Sequence, residues 1–140
     1  MNLNQLLFLH ANFYGVENTV FCIGVNGKKY AFEVREDEND GYRSMMADAI
    51  QVPVSSHTFF RKPVAVVRIE QDTNLRGGDN SLHHHVAGVY SGGYSEYGFK
   101  FVDIKTGHVW LRFGTDDTDD YYPMFVFEYT PDKSNTINVT

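Results

Sequence analysis

The chain has few of the residues and motifs that carry catalytic chemistry. Its 140 residues include one cysteine, Cys22, which excludes an internal disulfide; it lies in the apolar run Val20–Ile23, where we expect a buried, inert thiol. The sequence has no Gly-x-Ser-x-Gly elbow and no phosphate-binding glycine loop followed by Lys-Ser or Lys-Thr. We therefore expect a protein that is not an enzyme, with an acid–base pair built on His108 as the alternative.

Long apolar runs are missing as well. The longest are of strand length, far short of a membrane-spanning helix, and the first residues lack the charged and apolar pattern of a secretory signal. The formal net charge of −6 argues against a general nucleic-acid binder, which needs a basic face. We expect a cytoplasmic protein without a membrane partner.

Aromatic residues are abundant, with eleven Phe and nine Tyr, and this composition favours sheet. The segment Thr19–Val25, the turn Asn26-Gly27 and the segment Lys29–Val34 alternate apolar and polar residues as a β-hairpin does. A second hairpin is indicated by Phe99–Ile104 and His108–Phe113, joined through Lys105-Thr106-Gly107.

Three further segments complete the expected fold. Val64–Ile69 reads as an interior strand and Met124–Tyr129 as the last strand, whereas Tyr42–Ile50 has Met45, Met46 and Ala49 at helical spacing. The sequence thus predicts a mainly β fold, an antiparallel β-sandwich or open barrel with one short helix. We expect one domain over residues 1–130 and a polar, flexible tail over 131–140.

Acidic residues are bunched in two segments, and each segment runs into tyrosine. We call Glu36–Arg43 the first acidic loop and Thr115–Pro123 the second. Together they hold eight of the 18 acidic residues, so the remainder of the chain carries slightly more Lys and Arg than acid. Charge placed in this way is typical of a cation site, of a surface for a basic partner, or of a solubilised sheet edge.

A metal site is one interpretation of these features. The first acidic loop fails as an EF-hand, because the position of the bidentate acid is occupied by Ala47. The run His83-His84-His85 offers imidazole ligands, of which only the first and third can converge if the run is a strand. The candidate ligands of a divalent cation are His83, His85, Asp117 and Asp119. The alternative is a set of polar loops without a cofactor.

A binding face is the other interpretation. His108, Trp110 and Arg112 alternate with the apolar residues of their strand, and Trp and Arg are residue types that anchor interfaces and stack on planar ligands. The alternative is that this face of the strand is a core layer, in which Trp110 is buried. The complete set of predicted binding residues is Asp37, Asp40, Tyr42, Arg43, Trp110, Arg112, Asp116, Asp117, Asp119, Asp120, Tyr121 and Tyr122.

Two short motifs carry a resemblance. In Asp37–Ser44 and Gly114–Pro123 the chain resembles small proteins encoded by phages and prophages. The resemblance implies an inhibitor or sponge that acts in the host cytoplasm on a host protein or a signalling nucleotide.

These observations predict a non-enzymatic binding domain that assembles with copies of itself. Its acidic, aromatic loops would recognise a basic protein surface or a small nucleotide-like ligand. The alternatives are a divalent-metal-dependent enzyme or metal-binding module, and a structural component of a viral particle.

Overall fold

The structure is a computed structural model that describes residues 3–36, 47–72, 98–116 and 124–132. Its main feature is one sheet of eight strands in which every neighbouring pair is antiparallel. The strands are β1 (His10–Glu17), β2 (Val20–Val25), β3 (Lys28–Glu36), β4 (Ala47–Val52), β5 (Ala65–Asp72), β6 (Gly98–Asp103), β7 (Val109–Asp116) and β8 (Met124–Tyr129). Helical structure in the described residues is limited to 3-10 turns at Leu3–Leu6 and Val54–Ser56.

The sheet curls upon itself into an open barrel. Its strand order is β4-β3-β2-β1-β5-β6-β7-β8, so among the described residues β4 and β8 are unjoined edges. Phe21 of β2 nevertheless stacks on Phe113 of β7, with ring centroids 5.2 Å apart, although β1, β5 and β6 lie between these strands in the sheet. The mainly antiparallel β fold predicted from the sequence is confirmed.

The core lies inside this curl and is largely aromatic. Phe13 of β1 contacts Phe101, Trp110 and Tyr129, at ring-centroid distances between 5.8 and 6.1 Å. Edge-to-face and offset ring pairs of this kind contribute about 0.5–1.5 kcal/mol each beyond the burial of their area. The many Phe residues therefore join the two halves of the curled sheet.

The hairpin predicted around Asn26-Gly27 is present as β2 and β3. Asn26 and Gly27 have φ angles of 53° and 80°, the positive values that a two-residue turn of type I′ requires at both central positions. Phe21 pairs with Phe32, and both side chains are buried in the core as the alternation predicts. The predicted strands around Lys105–Gly107, at Val64–Ile69 and at Met124–Tyr129 are also present, as β6, β7, β5 and β8.

The short helix predicted over Tyr42–Ile50 is wrong in the part that the structure describes. Residues from Ala47 onward form β4, in which Ala49 pairs with Val34 of β3. The helical spacing of Met45, Met46 and Ala49 is outweighed by pairing of this segment with the β3 edge, since tertiary context overrides weak local propensity. Residues 42–46 lie outside the described residues, as does the predicted tail from residue 133 onward.

The connection from β4 to β5 crosses the sheet, and we call its residues 53–64 the strap. Because β4 lies at one edge and β5 lies beyond β1, the strap has to pass β3, β2 and β1. The Phe60 amide donates a hydrogen bond to the Tyr14 carbonyl at 3.1 Å, and the Val64 amide donates one to the Phe13 carbonyl at 2.8 Å. The Phe60 ring lies 3.0 Å from the place where a Cβ on Gly15 would be.

The strap explains a second buried layer on the outside of the sheet. Val52 pairs with Ala31, and Ala31 pairs with Cys22, so these three residues form one row that leads from the start of the strap across the sheet. Ala31 and Cys22 point away from the aromatic core, by alternation with Phe21 and Phe32, yet both are fully buried. We infer that the strap covers them, as its 3-10 turn lies against β3.

Candidate binding surface

Each acidic loop belongs to a hairpin of the open barrel. The first follows the end of β3 at Glu36 and precedes β4, and the second follows the end of β7 at Asp116 and precedes β8. Most of the predicted site residues within them lie outside the described residues: Asp37, Asp40, Tyr42, Arg43, Asp117, Asp119, Asp120, Tyr121 and Tyr122. The candidate metal ligands His83 and His85 lie outside them too.

The two hairpins that carry the acidic loops pack against each other. Besides its sheet partners, β3 approaches β8, and β4 approaches β7. Core rings link the same strands through β2: Phe21 of β2 stacks on Phe32 of β3 at 5.5 Å and on Phe113 of β7 at 5.2 Å between centroids. Phe113 in turn lies 6.3 Å from Phe127 of β8. One aromatic stack thus connects the hairpin of the first loop to the hairpin of the second.

Trp110 is not on an outward face. It is 0% exposed and packs on Phe13 in the core, as the alternative interpretation of its strand expected. The cause is a β-bulge: Phe101 pairs with Leu111 but Val102 pairs with Val109, so Trp110 is the extra residue opposite β6. Both Trp110 and Leu111 are therefore buried, and Trp110 offers no surface on which a ligand could stack.

Asp103 holds the buried tryptophan in place. Its Oδ2 accepts a hydrogen bond from Trp110 Nε1 at 3.2 Å, and its Oδ1 accepts bonds from the amides of Lys105 at 2.8 Å and Thr106 at 3.3 Å. Burial raises the pKa of this carboxyl group, but the hydrogen bonds from Lys105, Trp110 and Thr106 outweigh burial, and the net pKa lies below its ordinary value. A charged Asp103 is therefore a structural group that joins the turn to the core.

Arg112 does reach the outer face, where it belongs to a row of charged residues. Direct register partners carry this row across four strands, from β5 to β8. Its members are Glu70, Lys100, Arg112 and Glu128. Arg112 Nη1 lies 3.6 Å from Glu128 Oε1, and Lys100 Nζ lies 4.0 Å from Glu70 Oε1. Exposed pairs of this kind contribute about 0–1 kcal/mol each, so the row orients side chains more than it stabilises the fold.

Arg112 also forms a close ion pair with Asp72 of β5. Arg112 Nε donates to Asp72 Oδ2 at 2.8 Å, and Asp72 is only 4% exposed. A buried carboxylate requires a paired cation, since an isolated charge in the interior is costly. The predicted role of Arg112 in clamping a planar ligand would therefore have to compete with this ion pair.

The sequence analysis did not find the pair His57 and Glu17. His57 Nδ1 of the strap lies 3.1 Å from Glu17 Oε1 at the end of β1. Hydrogen bonds from the Thr58 amide and from His57 lower the pKa of Glu17. The two residues are 40 positions apart and belong to no motif, so only the crossing of the strap brings them together.

His108 and Cys22, the two candidate groups for acid–base or nucleophilic chemistry, both have structural partners. His108 Nε2 lies 2.7 Å from the Thr130 carbonyl oxygen, and its ring packs edge-on against Trp110. Cys22 is buried, which raises the pKa of its thiol to about 11 and keeps it protonated at neutral pH, as predicted. Within the described ranges no group of three or more metal-ligating side chains is found.

Comparison with known proteins gives no assignment. No protein-family model, no curated protein and no solved structure matches the chain. In the part of the chain that the structure describes, no helix has the length and apolar character needed to cross a membrane.

Proposed function

We propose that the protein is a non-enzymatic binding domain whose acidic, aromatic loops present the recognition surface for a basic protein. The observation that carries this proposal is that each acidic loop leaves a paired hairpin of the open barrel, the first at the end of β3 and the second at the end of β7. Because neighbouring strands alternate in direction, β3 and β7 run in opposite directions and end at opposite ends of the sheet. Each loop carries four acidic residues of its own, and a local concentration of negative charge steers a basic partner and favours its binding.

The biological setting of the proposal follows from the resemblance to small phage-encoded proteins. In that setting the domain acts in the host cytoplasm as an inhibitor or sponge of a host protein. A signalling nucleotide held by the loop tyrosines and Arg43 is a weaker version, because Trp110 is buried and Arg112 is paired with Asp72. The metal-dependent alternative rests on residues outside the described ranges, and no observation among the described residues favours it.

The test compares two variants with the same change of charge. The loop variant carries Asp→Asn at Asp116, Asp117, Asp119 and Asp120; the control carries Glu→Gln at Glu17, Glu33, Glu70 and Glu128. Basic host proteins are captured on each immobilised variant and on the wild type at roughly 50 and 200 mM salt, because screening shortens the range of charge–charge attraction. Melting temperatures of all three proteins show whether each variant is folded.

We expect the loop variant to capture less protein than the control at the lower salt concentration, while the first acidic loop, which is unchanged, accounts for what remains bound. Wild-type capture should fall steeply at the higher salt concentration. Capture that responds neither to salt nor to the loop variant would overturn the proposal. Equal losses in the two variants would show that only the net charge matters and would overturn it as well.

A further inference from the structure

In the part of the chain that the structure describes, the outer surface of β1, β5 and β6 exposes large apolar side chains. Phe8, Val66 and Ile104 are 61%, 36% and 48% exposed, which is unusual for large hydrophobic residues in one neighbourhood. The Ile104 amide donates a hydrogen bond to the Val66 carbonyl at 3.1 Å, so these two residues are direct neighbours.

Strand register makes this surface continuous. Arg68 pairs with His10 on β1 and with Val102 on β6, and Val66, two residues earlier on the same face of β5, pairs with Asn12. The Arg68 guanidinium lies 5.8 Å from the centroid of the Phe8 ring, within the range of a cation–π contact. We call the surface the outer patch; it consists of Phe8, His10, Asn12, Val66, Arg68, Val102 and Ile104.

Phe8 occupies this position in a strained backbone conformation. Its φ of 68° lies in the left-handed region, which is a genuine outlier for a bulky residue and costs of order 1 kcal/mol or more. The Phe8 amide donates to the Ile69 carbonyl at 2.6 Å, and Leu6, two residues earlier, is fully buried. The strained residue therefore turns the chain so that Leu6 enters the core while the Phe8 ring stays in solvent.

The outer patch is also cationic. Arg68 lies at its centre, and the exposed Lys105 follows Ile104 directly. No carboxylate belongs to the outer patch, and the carboxylate closest along β5, Glu70, lies beside Lys100 in the charged row. An apolar surface with a cationic centre is complementary to a segment that combines aromatic rings with carboxylates.

The chain itself contains two such segments, and we propose that the outer patch of one copy binds the second acidic loop, which runs into Tyr121 and Tyr122, of another copy. This inference rests on the proposed function, because it names a partner for the same loops. The two acidic loops hold eight of the 18 acidic residues and run into tyrosine, so they match the outer patch in both charge and apolar character. Because the two surfaces of the contact differ, the association is heterologous and produces rings or open chains rather than a closed two-fold dimer.

Two complementary variants test this proposal by sedimentation velocity. The patch variant is Phe8→Asn with Arg68→Glu; Asn is among the residues best tolerated at positive φ, so the substitution relieves strain while it removes the ring. The loop variant is the fourfold Asp→Asn change at Asp116, Asp117, Asp119 and Asp120. Lys28→Glu, an exposed residue of the β2–β3 hairpin outside the outer patch, is the control for charge reversal.

We expect the wild type and Lys28→Glu to form species that grow with protein concentration at low salt. The patch variant and the loop variant should each sediment as monomers. Mixed in equal amounts, they should form a 1:1 complex and nothing larger, because the patch variant keeps its loops and the loop variant keeps its patch.

The proposal would be overturned if the wild type remained monomeric up to about 0.5 mM, because typical specific complexes have dissociation constants below this concentration. It would be overturned equally if the mixture contained only monomers, or if the patch variant assembled like the wild type. Binding of a monomeric wild type to an oligodeoxythymidylate, lost in the patch variant, would assign the outer patch to nucleic acid instead. If the patch variant stays associated while the loop variant still loses the basic host proteins, this inference fails and the proposed function stands.

Discussion

Asp103 shows, at the scale of a single residue, how one buried carboxylate can hold two parts of the fold together. One carboxylate serves two turn amides and the indole of Trp110, so it joins the β6–β7 turn to the aromatic core. Hydrogen bonds to a charged group contribute about 1.5–3 kcal/mol, and a buried donor left without an acceptor costs about 1–3 kcal/mol. The residue should therefore be sensitive to substitution although it lies far from either acidic loop in sequence.

We expect Asp103→Ala to lower the free energy of unfolding by about 2–4 kcal/mol and Asp103→Asn by less, since Asn keeps one acceptor oxygen. The effect should depend on pH. The folded-state pKa of Asp103 is lowered, so its stabilisation is fully present above the unfolded pKa of about 3.9 and is lost as the pH falls through the folded pKa. Urea unfolding at pH 7 and at about pH 3 measures this, and a difference between wild type and Asp103→Asn that does not narrow at the lower pH would contradict it.

Trp110 illustrates what alternation alone can predict about a residue. The pattern of β7 correctly placed Leu111 and Phe113 in the core and Arg112 outside. It misplaced Trp110 because a β-bulge adds one residue to the strand and shifts the facing of everything before it. A bulge depends on how the strand pairs with β6, which the sequence of β7 does not reveal.

At the scale of elements, the hairpins follow from local chemistry. The turn of β2 and β3 needs two residues with positive φ, and Asn26-Gly27 provides the residue types that adopt it most easily. The β4 strand had no such local signal, and the helical spacing of Met45, Met46 and Ala49 in the sequence favoured the wrong element for the residues from Ala47 onward. Pairing with β3 determined that this segment is a strand. Hairpins with strong turn residues were therefore predicted, whereas this edge strand was not.

We expect Gly27→Ala to destabilise the protein by about 1 kcal/mol. A Cβ at this position meets no atom within 4 Å, so the whole effect comes from the positive φ of 80°. Gly107→Ala, at φ 79° and equally open, should cost a similar amount, and Lys28→Ala in the same hairpin should change little. Thermal unfolding measures all three; a neutral Gly27→Ala would show that the turn does not keep its left-handed conformation.

At the scale of the whole molecule, the strap and the contact between hairpins could not be predicted. Both depend on strand order, and the sequence did not reveal that three strands lie between β4 and β5. The pair of His57 and Glu17 and the stack of Phe21 on Phe113 exist only because the sheet curls and the strap crosses it. The sequence therefore indicated the acidic loops as candidates for binding. The packing of the hairpins that carry them depends on the strand order, which the sequence did not reveal.

The strap also predicts a local opening that the buried thiol can report. Gly15 has a φ of 98°, and a Cβ there would lie 3.0 Å from the Phe60 ring, so Gly15→Ala strains the backbone and displaces the strap together. Because the strap covers Cys22, we expect the thiol of Gly15→Ala to react with a soluble disulfide reagent about tenfold faster, which corresponds to about 1.4 kcal/mol in the opening equilibrium. Glu17→Gln, which removes the carboxylate opposite His57, should increase the reaction rate of the thiol by a smaller factor.

Ser56→Ala, a change at an exposed position of the strap, is the matched control. The Cys22 thiol of this variant should react as slowly as that of the wild type. The dependence of the labelling rate on low concentrations of urea separates local opening from global unfolding, because its slope scales with the surface exposed. A shallow slope in Gly15→Ala means that the strap lifts while the open barrel stays folded. Two results would contradict this: a slope equal to that of global unfolding, or a Gly15→Ala variant whose thiol reacts no faster than that of the wild type. In either case the strap does not cover Cys22, and other residues of the chain bury Cys22 and Ala31.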